Sequence, residues 1–176
     1  MVQLHDKTFE PYLSEFEIRE IVKDMAYKMG VLKNEKPLFI IILKGSFIFA
    51  SDLVKALDFD VELCFMQLNS YEGTKSSGKI KEIMGISKQI KDRTLVVVED
   101  IIDTGNTLEY LNQHLLAEKP KKIYYSSLLL KASVYKKTIP IDFVGKEITN
   151  EFVVGYGLDY KELGRTLTKI YKLKIS

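Results

Sequence analysis

The sequence predicts an α/β domain, with a mostly parallel central sheet flanked by helices, and three observations carry that prediction. The runs at 38–43 (LFIIIL) and 95–98 (LVVV) are apolar without alternation, as strands covered on both faces are. Segments whose apolar residues recur at helical spacing are interleaved with such runs along the chain, without internal repeats or low-complexity stretches. With 176 residues, 46% of them hydrophobic, the chain suffices for one domain with a sizeable core and is too short for two ordinary ones.

The elements follow in order. A helix is expected over 14–29: Ser14 and Glu17 form a capping-box pattern, Ile18, Ile21, Val22, Met25 and Met29 share one face, and Gly30 stands where a terminator would. Pro37 precedes the buried strand 38–43, which runs through a Lys-Gly-Ser turn into a helix at 47–57, with Phe49, Ala50, Leu53, Val54 and Leu57 suited to burial. The next strand is 61–68. It holds the single cysteine, Cys64, which reads as a buried hydrophobe and excludes a disulfide within the chain. The polar stretch 69–81 (NSYEGTKSSGKIK) cannot pack by itself and is either a surface hairpin or a lid. Strand 95–98 leads to a helix carrying Leu108, Leu111, Leu115 and Leu116, the next strand is expected at 123–130, and short ones at 141–144 and 152–154.

Charge narrows the class of function. The net charge of +2 comes from 26 basic and 24 acidic residues, so no global field argues for nucleic acid or a membrane surface, and a small-molecule partner is expected. The N-terminal MVQLHDKTF lacks an apolar signal region and no apolar run reaches membrane-spanning length, so a cytoplasmic protein is expected.

The richest stretch is LVVVEDIIDTGNTL at 95–108, where the apolar run meets two carboxylates and passes into a Thr/Gly-rich turn. Ligands of parallel sheets bind at the carboxyl ends of the strands. There Glu99 and Asp100 can accept hydrogen bonds from vicinal sugar hydroxyls or hold a divalent cation, while Asp103, Thr104, Gly105, Asn106 and Thr107 wrap the next turn. The unpaired N–H groups and positive dipole at the start of the following helix suit an anion. Neither GxxxxGK[ST] nor a post-strand GxGxxG occurs, which argues against nucleoside-triphosphate and dinucleotide loops.

Taken together these residues resemble the signature of the type I phosphoribosyltransferases, which bind 5-phosphoribosyl 1-pyrophosphate (PRPP). VEDIIDTG is close to the form found in hypoxanthine-guanine phosphoribosyltransferases, and the resemblance extends over about 38–167 with its pieces in the family order. It implies that the 1–176 domain carries a small hood built from terminal segments, about 1–13 and 145–176, and that 69–81 is a mobile active-site loop in which Ser70 and Tyr71 close over the reacting centre. LKGS at 43–46 matches the pyrophosphate loop, with Lys44 and Gly45 at the anion and a non-proline cis peptide between Leu43 and Lys44. SLLLK at 127–131 places Lys131 at O6 of a purine. In the 142–160 region Phe152 would stack on the base and the Val153 backbone would read its edge; Asp159 matches a second magnesium ligand and Arg165 a pyrophosphate contact.

The reaction so implied is magnesium-dependent displacement of pyrophosphate from C1 of PRPP by N9 of a 6-oxopurine, hypoxanthine or guanine, giving IMP or GMP. Glu99, Asp100 and Asp159 are the candidate Mg2+ ligands, since a hard cation needs only one or two protein carboxylates. Asp103 is the candidate general acid/base at N7. Homodimers or homotetramers are usual in the family. Gly164 stands before Arg165 where an aromatic residue is common, which predicts a looser segment around that arginine. A nucleic-acid-binding regulator on the same scaffold is disfavoured by the absence of a dense basic stripe and by the presence of Ser70, Tyr71 and Asp103.

Overall fold

The computed structural model describes residues 1–70 and 80–174, with the backbone alone at 69, 70, 80 and 81. In chain order the elements are β1 (Val2–Leu4), β2 (Lys7–Leu13), α1 (Glu15–Met29), a 3-10 helix (Gly30–Glu35), β3 (Leu38–Leu43), α2 (Phe47–Ala56) and β4 (Glu62–Ser70). There follow β5 (Ile80–Met84), β6 (Thr94–Ile102), α3 (Asn106–Ala117), β7 (Lys122–Leu130), β8 (Phe143–Glu147), β9 (Val153–Val154) and β10 (Ile170–Leu173). None of the described helices is long and apolar enough to cross a membrane.

Two sheets organise the molecule. The larger runs β5-β4-β3-β6-β7-β8 and is parallel except for β5, which pairs antiparallel with β4 at one edge. Successive residues of its central strands feed different layers: Phe39, Ile41, Val96 and Val98 pack with Ile18, Val22, Met25, Phe49 and Leu53 of α1 and α2. Leu38, Ile40, Leu95 and Val97 pack with Leu108, Leu111 and Leu115 of α3. Both faces are therefore covered, which is why the strands read as unbroken apolar runs. The smaller sheet, β1-β2-β10-β9, is antiparallel and joins residues 2–13 to 153–173.

Local chemistry explains several boundaries. Ser14 caps α1 by accepting from the Glu17 N–H at 3.2 Å, and Glu17 Oε2 accepts from the Ser14 N–H at 2.8 Å, completing the capping box. α1 ends at Met29 with Gly30 as its C-cap, as expected, but Gly30 does so without a left-handed turn. It keeps helical angles and leads into the 3-10 turn, because Leu32 is buried in the core, and Lys36 makes the left-handed exit with φ 47°. β6 runs on through Glu99 and Asp100 to Ile102 instead of stopping at the carboxylates, since Glu99, Ile101 and Ile102 keep their register with Ser127, Leu129 and Leu130 of β7. Residues 145–147 belong to β8 and pair with β7, so the terminal sheet resumes at Val153 and not at about 145. β1, β2, β5 and β10 were not legible as strands.

Candidate active site

A cleft of about 400 Å³ opens where the carboxyl ends of β3, β6 and β7 face the smaller sheet. Each segment contributes its own chemistry. The turn after β3 supplies Lys44 and Gly45, the end of β6 supplies Asp100 and Asp103, and Lys131 follows β7 directly. Phe152 and Val153 enter with β9, and Asp159, Glu162 and Arg165 lie on the loop between β9 and β10. A larger cavity, about 580 Å³ between α1 and α2, is mainly apolar, and its Asp52 is already engaged by Lys55 and Tyr156.

At one end of the cleft the ammonium of Lys131, whose side chain is 9% exposed, donates to Asp103 Oδ2 at 2.7 Å. Its second partner is Asn150 Oδ1 at 3.4 Å. A lysine buried at a strand end is held there by these acceptors, where an unpaired one would reach for water. Beside it Phe152 is half-exposed and its ring packs against Phe9 and, edge-on, Tyr160, while the Lys7 ammonium lies 4.8 Å from the Tyr160 centroid. Val153 is buried.

At the other end cations and carboxylates alternate. Arg165 is held by Asp159 at 2.8 Å, by the Gly157 carbonyl at 3.0 Å and by Glu162 at 3.4 Å. These contacts fix the arginine firmly, so the looseness expected from Gly164 is not found. Gly164 itself takes φ 102°, a conformation that residues with a side chain rarely adopt, and packs against Leu4. Lys44 lies 3.3 Å from both Glu162 oxygens and follows the Leu43–Lys44 peptide, which is cis. A side chain at Gly45 would run into the Asp100 carboxylate, and one at Gly157 into the Gly45 carbonyl. The hood loop thus rests directly on the turn after β3.

The strand-borne acids are poorly solvated. Burial pushes the Asp100 carboxyl up to about 6, against the opposing pull of backbone N–H groups and Arg165. Burial, reinforced by the neighbouring Asp100 charge, raises Glu99 well above the ordinary carboxylate range. Among the described residues no three carboxylate, histidine or cysteine side chains converge on one point, so Glu99, Asp100 and Asp159 do not form a single ready-made centre. Asp159 is committed to Arg165, and Glu99 is buried and does not line the cleft. Asp100 is the carboxylate that presents poorly solvated oxygen to the cleft. That hard donor suits a divalent cation whose remaining ligands come from phosphate and water.

Thr104, Gly105, Asn106 and Thr107 form the turn into α3 and stand outside the cleft lining. Gly105 takes φ 83°, and a side chain there would meet Tyr135 and Lys137. Gly105 at the N-cap has no side chain to cap α3, and although the Asn106 N–H donates to Thr104 Oγ1 at 3.5 Å, the next N–H groups of the first turn are left available to an anion. Tyr71 and the side chain of Ser70 lie outside the described residues. Glu162, Asn150 and Gly157 were missed by sequence reading: Glu162 looks like one surface acid among many, and no local pattern marks Asn150.

The phosphoribosyl transferase domain family matches residues 12–161. The chain is 38% identical to the hypoxanthine-guanine phosphoribosyltransferase of Aquifex aeolicus, over 99% of both chains, and 38% identical to that of Staphylococcus aureus, over 97% of both. A hypoxanthine phosphoribosyltransferase crystal structure from Staphylococcus aureus superposes with a TM-score of 0.87 at 38% identity, covering 97% of this chain and 94% of the other. One from Bacillus anthracis gives 0.87 at 35%, covering 96% and 100%. The family model spans most of the chain and these relatives match it nearly end to end, so the chain belongs to the hypoxanthine-guanine phosphoribosyltransferases of the phosphoribosyl transferase family.

Proposed function

We propose that the protein transfers the 5-phosphoribosyl group of PRPP to N9 of hypoxanthine or guanine, releasing pyrophosphate and giving IMP or GMP for purine salvage. The observation that carries the choice of base is the donor count at Lys131. An ammonium has three donors; Asp103 and Asn150 take two, and the third is left for a carbonyl oxygen. A 6-oxo group accepts it, whereas the 6-amino group of adenine would bring a donor against a donor.

The remaining roles are assigned as follows. Phe152 offers its half-exposed ring to the base and the Val153 backbone its edge. Asp103 exchanges the proton at N7 as the N9 bond forms, next to the ammonium that steadies its charge. Asp100, with Glu99 beneath it, receives the ribose hydroxyls, and the amides of Thr104–Thr107, where the chain turns into α3, take the 5-phosphate. Lys44, Gly45 and Arg165 hold the diphosphate, so that leaving-group charge is neutralised where it develops. Mg2+, held through Asp100 with phosphate and water as its remaining ligands, would neutralise diphosphate charge and orient the ribose. The sugar passes through an oxocarbenium-like state, which calls for positioning and charge balance without a covalent intermediate. A homodimer or homotetramer is the proposed assembly.

The test is nucleotide formation from PRPP and Mg2+ with hypoxanthine, guanine, xanthine and adenine supplied separately. Turnover of 6-oxopurines with none of adenine is the expected result. Turnover of adenine at a comparable rate would overturn the role given to Lys131.

A further inference from the structure

We propose that Glu162 is a built-in counter-anion: in the free enzyme its carboxylate takes the seat of the substrate's diphosphate, and binding exchanges one for the other. This deepens the reading of the cleft as a PRPP site and rests on it. Two cations from distant parts of the chain, Lys44 after β3 and Arg165 before β10, meet on this one carboxylate at 3.3 and 3.4 Å. All three residues line the cleft. An anion entering between Lys44 and Arg165 therefore meets a like charge already there.

The turn is shaped to put the carboxylate in that place. Lys161 and Glu162 are consecutive non-glycine residues in the left-handed region, with φ 49° and 68°, a conformation such residues seldom adopt. Reciprocal hydrogen bonds between Tyr160 and Leu163, at 2.8 and 3.1 Å, close the turn, and the Glu162 N–H donates to Asp159 Oδ2 at 2.8 Å.

The contacts are also of the kind that exchange. Glu162 is 68% and Lys44 53% exposed at the side chain, and pairs this open to water are weak and screened by salt. Arg165 is different, being only 19% exposed and keeping Asp159 and the Gly157 carbonyl when Glu162 lets go. So the arginine stays fixed while the acid is displaced. An occupied seat keeps two cations together without mutual repulsion, and an acid waiting to return helps expel pyrophosphate once the nucleotide has formed.

The experiment is calorimetric titration of inorganic pyrophosphate, with Mg2+ and without base, into the wild type, Glu162→Gln, Glu162→Ala and Glu162→Asp, alongside product inhibition during turnover. Removing the charge is expected to tighten pyrophosphate binding about three- to tenfold, the gain from deleting one or two exposed competing contacts. Pyrophosphate should then inhibit turnover at correspondingly lower concentration, with Glu162→Asp lying between wild type and Gln. Unchanged or weaker pyrophosphate binding in folded Gln and Ala variants overturns the proposal, as does failure of both to fold, which would make Glu162 structural. If the wild type forms nucleotide and the variants behave so, only this inference falls. If the wild type neither binds pyrophosphate nor forms nucleotide, the PRPP reading falls and this one with it.

Discussion

The two ends of the cleft are held by ion pairs of opposite character. At the Lys131 end a single ammonium, 9% exposed, is fixed on Asp103 at 2.7 Å, while at the Lys44 end the ammonium is 53% exposed and shares Glu162 with Arg165. The first arrangement pays a desolvation cost and gains a definite position; the second costs little and holds loosely. That contrast suits a flat base, whose identity must be read at a fixed point, and a flexible polyanion, which must enter and leave.

The largest expected effect comes from breaking the buried pair. Asp103→Ala leaves the Lys131 charge without its main partner and the N7 proton without an acceptor. Turnover should fall about 10²- to 10⁴-fold, and stability by about 2 kcal/mol, less than for a fully buried pair because the Asp103 side chain is 46% exposed. PRPP affinity should change by less than about threefold, as Asp103 is assigned to the base and not to the sugar. Loss of PRPP binding with turnover at saturation retained would reverse that assignment. Steady-state kinetics and a thermal melt suffice to decide.

The second prediction concerns the acid that lies between the two ends. Asp100 has a carboxyl at about 6 in the folded protein, above its ordinary value of 3.8. The native state therefore binds more protons than the unfolded chain between those values, and the ionised group costs stability that is fully felt above pH 6 and absent below pH 4. Asp100→Asn should stabilise the protein at neutral pH by about 1–2 kcal/mol, with the gain vanishing as the pH falls below 4. It should also weaken PRPP binding, and Glu99→Ala with Asp100→Ala should weaken it further. Melting curves across pH that show no such convergence would contradict the desolvation argument.

The smallest effect sharpens the Lys131 end. Asn150→Ala removes the longer of the two acceptors on the ammonium, so KM for the base should rise a few-fold, the worth of about one hydrogen bond, with kcat nearly unchanged. An equal fall in kcat would instead make Asn150 part of the transition-state machinery.

What was legible in the sequence was whatever one stretch of chain carries by itself. The apolar runs gave the buried strands, Ser14 and Glu17 gave the start of α1, and the 95–108 motif placed Asp100 and Asp103 at a strand end. What was not legible depends on partners far away in sequence. β1, β2 and β10 are strands because they pair with one another across the whole chain, and their composition alone does not say so. Lys131 finds Asp103 and Asn150, and Lys44 finds Glu162, only once the sheets are assembled. Gly157 could not be recognised as a seam residue until Gly45 was seen beneath it.

The pairing of β2 with β10 has a consequence for how the molecule comes into being. Leu13 faces Ile170 across that ladder, so the contact closes a loop of nearly the full chain, the costliest kind to form by chance. The parallel sheet can gather as its own segments are synthesised, but β10 leaves the ribosome after them and is the strand that ties the hood together. A nascent chain would thus carry Asp103 and Lys131 in place well before it had a cleft to use them in, and competence for substrate would wait for β10 to be made and paired.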